Sequence, residues 1–223
     1  MDGGLEMSGI TLSTTLYIVQ GIGITLQYAL FALIGGFCIG LLIALLKLGQ
    51  SRIGQRFADI YVSIFRGTPL LVQLSLAYFA LPQLIGHPIS AFTAGIIAFS
   101  LNSGAYVSEV IRAGIQGIDK GQFEASMALG IPRFMMLKDI IFPQAFRNVF
   151  PAFMNEMINL LKETALLSTI GEADIMRRAN LVAAEQYNYI QPLLIAASCY
   201  YVLVLALSRI SSFIERKMNH DYN

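Results

Sequence analysis

The sequence predicts an all-α integral membrane protein of five transmembrane helices, with one short polar helix between the third and the fourth. Three observations lead there. Hydrophobic residues make up 56% of the 223 and charged residues only 13%, where soluble domains carry ~25% charged residues. No formal charge occurs from Met7 to Leu46, and ~20 apolar residues suffice for a helix to cross a bilayer. Residues 119–143 form a polar island rich in helix start and stop residues, unlike the rest of the chain.

A single domain over 1–223 is expected, with spans at about 16–46, 60–81, 90–113, 149–170 and 189–208. Span one ends at Lys47, Arg52 and Arg56, and its Gly35, Gly36 and Gly40 give a small-xxx-small step for close helix packing or a dimer contact. Span two ends in the turn residues Pro82, Gly86 and Pro88. The Gly67-Thr68-Pro69 interruption inside it loosens the helix and frees backbone carbonyls, tolerable only against protein or a wet cavity. Span three leads into a polar loop at 114–146, and spans four and five follow.

Within that loop Asp119 is a good N-cap, with Gln122 three residues on as a variant capping box. A short helix over 120–129 should follow. Gly130 occupies the C′ position, where glycine takes the left-handed conformation without strain, and Pro132 prevents continuation. The segment is too short and too charged to span, so it should lie on the surface.

The residues Glu124-Ala125-Ser126, Gly130 and Ile140-Ile141-Phe142-Pro143, at their spacing, resemble the coupling loop of the permease subunits of ATP-binding-cassette (ABC) importers. Ser126 and Phe142 depart mildly from that family's Ala and Leu. Phe65-Arg66-Gly67-Thr68-Pro69-Leu70-Leu71-Val72-Gln73 and Asn159-Leu160-Leu161-Lys162-Glu163-Thr164-Ala165-Leu166 resemble the subfamily that carries polar amino acids. Together the similarity covers roughly residues 14–217, and it implies a type I importer fold. It implies partners too: ABC ATPase subunits inside, a second permease copy or homologous permease alongside, and an extracytoplasmic solute-binding protein. ATP and magnesium would then be bound by the partner ATPase. This chain carries no Gly-x-x-x-x-Gly-Lys-Ser/Thr phosphate cradle, so no cofactor is expected in it. The ATPase-coupling residues on this reading are Phe123, Glu124, Ala125, Met127 and Gly130, with Phe123 and Met127 one turn apart as an apolar pair.

Ionisable residues inside spans cost ~2.5–3.5 kcal/mol on insertion scales and so mark a cavity or a partner. Asn155, Asn159, Lys162 and Glu163 share one face of span four, with Glu156 and Thr164 on an adjoining strip. Asn102, Tyr106 and Glu109 share a face of span three. A substrate path lined by Arg66, Thr68, Asn102, Glu109, Asn159, Glu163 and Thr164 is the functional reading, with Arg66 meeting a carboxylate and the two Glu residues suiting a cationic side chain. Internal pairing, Glu163 with Lys162 or Arg66, and Asn residues bridging helices, are the structural alternatives.

Basic residues set the orientation. Lys47, Arg52, Arg56, Arg112, Lys120, Arg133, Lys138, Arg147, Arg209, Arg216 and Lys217 fall on one side, and Arg177 and Arg178 on the other. The polar island and the C-terminus are therefore expected in the cytoplasm of a bacterium, with the N-terminus outside its inner membrane. The start Met1-Asp2-Gly3-Gly4-Leu5-Glu6-Met7 lacks the basic residues of a cleaved signal. The mixed charges Glu172, Asp174, Arg177, Arg178 and Glu185 on the outer side suit docking of the binding protein or a solvated loop. Cys38 and Cys199 read as apolar filler, and His87 and His220 are too few for a metal site. A net charge of +1 carries no information about nucleic acid, and none is expected as a partner. A membrane-embedded enzyme lacks its motifs here, whereas an ion-coupled secondary amino-acid carrier is the alternative to the importer.

Overall fold

The computed structural model describes residues 11–220, and those residues form helices joined by short turns. The expectation about residues 1–7 lies outside the described residues, as does the side chain of His220. Helix α1 (Leu12–Val19) is capped by the Thr11 hydroxyl and runs through Gln20 into α2 (Gly21–Leu48). The helical run that contains span one is thus longer than the span itself. Helix α2 is apolar all round, as suits a helix with lipid on one side and protein on the other; Leu30, Ile34, Leu42 and Leu45 are exposed while Tyr28, Ala32 and Ala44 are fully buried.

The second expected span is not one straight helix. Helix α3 (Arg52–Gly67) stops at Thr68-Pro69, and the chain resumes as α4 (Leu70–Ser75), a π-turn at Leu76–Ala80 and α5 (Leu81–Ile85). The two halves bend by 100°. Proline disfavours helical geometry in the residue before it and has no N–H to give; Thr68 accordingly sits at φ −121°, ψ 145°.

Helix α6 (Ala91–Gln116) runs along α2. A Cβ on Gly36 would lie 2.7 Å from Cβ of Ser103, and one on Gly40 2.7 Å from Cβ of Val107. The glycine step of span one is therefore spent on α2–α6 packing within this chain, and it is not free for a second copy.

Helix α7 (Lys120–Ala128) is followed by α8 (Arg133–Met135), a π-turn at Met136–Ile141 and α9 (Phe142–Glu163). The helix that holds the fourth expected span begins at Phe142, with Pro143 in its first turn, where the missing N–H costs nothing. A 3₁₀ segment (Thr164–Ile170) continues it. Helix α10 (Ile175–Gln186) then packs on α1 and α11 (Ile190–His220).

Leu12–Leu48, Ala91–Gln116 and Ile190–Met218 are long and apolar enough to cross a membrane, and the bent pair counts as a fourth crossing if taken as one. Helix α9 is 22 residues long but carries Arg147, Glu156, Lys162 and Glu163. Such a helix crosses only with its polar face covered by protein or water.

Four buried clusters hold the helices. Tyr28, Leu74, Phe99, Leu160 and Leu167 join α2, α4, α6 and α9. Ile18, Ile175, Ala179 and Ala196 join α1, α10 and α11. Ile43, Ala58, Val62 and Ala105 join α2, α3 and α6. Ile118, Met136, Ile141 and Ala145 seat the polar loop under the bundle.

Candidate functional site

The break in the second span is closed by two amides. Gln73 Nε2 donates to the carbonyls of Phe65 (2.9 Å) and Thr68 (3.1 Å) and to Thr68 Oγ1 (2.8 Å). Asn102 Nδ2 donates to Phe65 O (3.1 Å) and to Gln73 Oε1 (3.0 Å). The carbonyls freed by the bend thus meet protein. Asn102 is 5% exposed and lines no cavity described below. Its amide bridges α6 to the break. Thr68, donating to Ile64 O at 2.8 Å, borders a different, apolar groove with Val72 and Leu76. Thr164 is fully buried and donates to Leu161 O at 2.6 Å.

The polar groups that do converge lie between α6 and α9. A cavity of about 520 Å³ is lined by Tyr106, Glu156, Asn159, Lys162, Glu163, Ala165 and Leu166. Glu163 has no ion pair within 4 Å to Lys162 or Arg66. A second cavity of about 570 Å³ is lined by Arg66, Tyr106, Glu109, Arg112, Asn148 and their neighbours. Tyr106 borders both. Since α6 descends towards α7 and α9 rises from it, the second cavity lies on the α7 side. Of the seven residues expected along a path, Asn159 and Glu163 reach the first cavity and Arg66 and Glu109 the second.

Glu109 is already occupied. Its carboxylate accepts from Lys47 Nζ at 2.6 Å and from Arg112 Nη2 at 2.8 Å, with Arg66 Nη1 farther off at 3.9 Å. Lys47 also meets Asp59 at 3.0 Å. The Lys47 and Glu109 side chains are 11% and 18% exposed, so stripping Glu109 of its charge would cost up to ~3–5 kcal/mol, the range for breaking a buried pair. Arg66 is 43% exposed, and so loose a contact contributes only ~0–1 kcal/mol. Its guanidinium also lies 5.1 Å from the Tyr106 ring centroid, a cation–π distance. Lys47 reads in the sequence only as the end of a span; its partner is 62 residues away, beyond any local pattern.

On the α7 side, the Asp119 carboxylate accepts from Gly121 N at 2.6 Å. Gly130 adopts φ +69°. Ile131 N donates to Ser126 O and Gly130 N to Met127 O, both at 3.0 Å, which is the Schellman stop. Phe123 is half-buried and packs on the Ile118–Met136 cluster together with Ile131 and Ile140. The most exposed apolar residues from α7 through α8 are Met127 (65% exposed), Leu129 (77%) and Phe134 (75%), with Met135 and Leu137 also exposed. Glu124 and Ala125 share that exposed surface. No local pattern in the sequence groups Leu129 with Phe134, because the stop at Gly130 reorients the chain between them.

The mixed-charge segment after span four is a helix start rather than an open loop. Asp174 is buried and accepts from Arg177 N (2.8 Å), Met176 N (3.2 Å) and Tyr200 Oη (3.1 Å). Burial nevertheless raises its carboxyl pKa, partly offset by those donors. Arg178 lies over the Tyr17 ring at 4.6 Å and donates to Tyr17 O at 3.2 Å. Cys38 and Cys199 are free thiols.

A family model described as the binding-protein-dependent transport system inner membrane component matches residues 36–220. The chain is 57% identical over 203 residues to a putative glutamine transport system permease protein, GlnP, of Rickettsia felis, covering 91% of this chain and 93% of that one. It is 50% identical over 205 residues to the arginine transport system permease protein ArtQ of Bacillus subtilis, covering 92% and 94%. A crystal structure of an amino acid ABC transporter with histidines superposes with a TM-score of 0.88 at 42% identity, covering 95% of this chain and 100% of that one.

Proposed function

The chain belongs to the binding-protein-dependent transport system inner membrane components, and from that premise we propose that it works as the permease subunit of an ATP-driven importer of polar amino acids. The observation that carries the substrate class is the α6–α9 seam. In a chain so apolar, Glu156, Asn159, Lys162 and Glu163 line one cavity large enough for an amino acid. Groups of both signs there match a zwitterion, and carboxylates not held in ion pairs favour a cargo with a cationic side chain. Relatives named for glutamine and for arginine transport bracket that class.

On this reading one transmembrane domain of five crossings is completed by the bent pair and by α9, whose polar face turns to the path. The N-terminus is outside and α7 is cytoplasmic, as the basic residues require. Partner ATPase subunits bind ATP and magnesium and grip the surface made by Glu124, Ala125, Met127, Leu129 and Gly130, while Phe123 anchors α7 to the bundle. A second permease copy or homologue closes the path, and a solute-binding protein delivers cargo outside.

The test is uptake by the complete transporter in proteoliposomes, with the 20 amino acids offered singly, with and without ATP. ATP-dependent accumulation of arginine or glutamine, lowered at least tenfold by Glu163→Gln for arginine, is the expected result. Uptake that ignores ATP and collapses with an ionophore would sink the proposal in favour of an ion-coupled carrier.

A further inference from the structure

The two cavities share one side chain. Tyr106 lines the Glu156–Glu163 cavity and the Arg66–Glu109 cavity alike, and the Arg66 guanidinium sits 5.1 Å from its ring centroid. Arg66 stands at the last turn of α3, just before the break. The break itself is tied down by Gln73 and Asn102, so the backbone there is held and the long Arg66 side chain is what can move.

Its tether is the weakest in the cluster. Lys47 and Arg112 occupy the two oxygens of Glu109 at 2.6 and 2.8 Å, and Arg66 reaches one of them only at 3.9 Å. Glu156 lines the first cavity and lies within electrostatic reach of Arg66. One loosely held cation therefore has a carboxylate in each cavity to turn to, and Tyr106 borders both cavities. A planar guanidinium suits such a station, since it stacks on a ring and pairs with a carboxylate. Side-chain exchange between two discrete arrangements is a usual way for a packed protein to switch.

Resting on the importer reading, we propose that Arg66 and Tyr106 form an internal gate between the two cavities. The gate is shut while Arg66 lies on Tyr106 and leans on Glu109. It opens when the guanidinium swings towards Glu156, freeing the ring edge and leaving a continuous polar seam. A cationic cargo group in the first cavity competes with Arg66 for Glu156 and holds the gate shut until the cargo shifts, so Arg66 also helps set charge selectivity.

The complete transporter is reconstituted in vesicles preloaded with radiolabelled arginine, glutamine or sucrose, and efflux without ATP is compared with ATP-driven uptake. Tyr106→Ala and Arg66→Gln should each leak both amino acids at least tenfold faster than wild type while retaining sucrose. Arg66→Lys should fall between, because an ammonium keeps the charge and loses the planar stack. Arg66 is exposed enough for Arg66→Gln to fold even if Tyr106→Ala does not. Vesicles of Arg66→Gln that hold both amino acids as wild type does, or that leak sucrose equally, would overturn the gate. Wild-type uptake is the separate control: if it fails for every amino acid, the importer reading falls and the gate with it, whereas normal uptake with tight variants removes the gate alone.

Discussion

Replacing Asn102 by Ala should weaken the fold and leave cargo affinity alone. The side chain donates to Phe65 O and Gln73 Oε1. Phe65 O keeps a second donor, Gln73 Nε2 at 2.9 Å, so one acceptor, Gln73 Oε1, is left buried and unpaired. Such a group costs about 1–3 kcal/mol, and the lost volume adds a fraction more; about 2 kcal/mol is a fair total. For a chain of this size, that corresponds to a fall of about 4–8 °C in melting temperature. Gln73→Leu strips Thr68 O and Thr68 Oγ1 of a donor as well. The double variant should therefore be less harmful than the sum of the two, by about 1–2 kcal/mol of coupling. The assays are thermal unfolding of the detergent-purified complex and arginine or glutamine uptake in vesicles. Expected are a lowered melting temperature and a KM within about twofold of wild type, ordinary for a change remote from the cargo. An unchanged melting temperature with a tenfold higher KM would refute the reasoning, because Asn102 would then be serving the path and not the bend.

Three further outcomes follow from the same geometry. Gly130→Ala forces a side chain into φ +69°, a strain of about 1–2 kcal/mol, so ATPase subunits should be retained less on purification, with Gly130→Asn milder; undiminished retention in both would contradict the docking role of that turn. Met127→Ser with Leu129→Ser should reduce ATPase retention without lowering the melting temperature, whereas Phe123→Ser should destabilise the fold by about 2 kcal/mol, half the value for a fully buried ring, and a reversed pattern would put Phe123 on the docking face. Asp174→Asn keeps the cap that Asp174→Ala loses at about 1 kcal/mol. Burial holds the folded Asp174 carboxyl above its ordinary value, so its stabilising protonated form is complete below about pH 3.9 and is lost as pH rises through the raised folded value. Wild type should lose stability relative to Asp174→Asn across that window, and a parallel pH profile for the two would count against the buried charge.

Local chemistry decided a good deal. The apolar run before Lys47 makes a helix of membrane length whatever its neighbours, because backbone polar groups in lipid have no other partner. Gly130 and Asp119 delimit α7, since a left-handed stop and a side-chain cap involve only a few adjacent residues. The polar character of α9 was equally legible, as charges at helical spacing fall on one face in any fold. The three motif segments pointed to the transporter family for the same reason: each is a contiguous run.

What the tertiary structure alone decided concerns partners distant in sequence. Glu109, an isolated carboxylate in its own helix, is taken by Lys47 from 62 residues away. Asn102 and Gln73, 29 residues apart, meet across the bend and share the carbonyls it frees. Gly36 and Gly40 could have faced lipid, a second copy or α6, and only the approach of Ser103 and Val107 shows which. Phe123 and Met127 stand one turn apart on α7, yet the Ile118–Met136 cluster draws the first inward and leaves the second outside. Helical spacing places side chains around one axis. The rotation of that axis against its neighbours is set by packing, and packing determines which polar groups are satisfied within the protein and which remain to meet cargo.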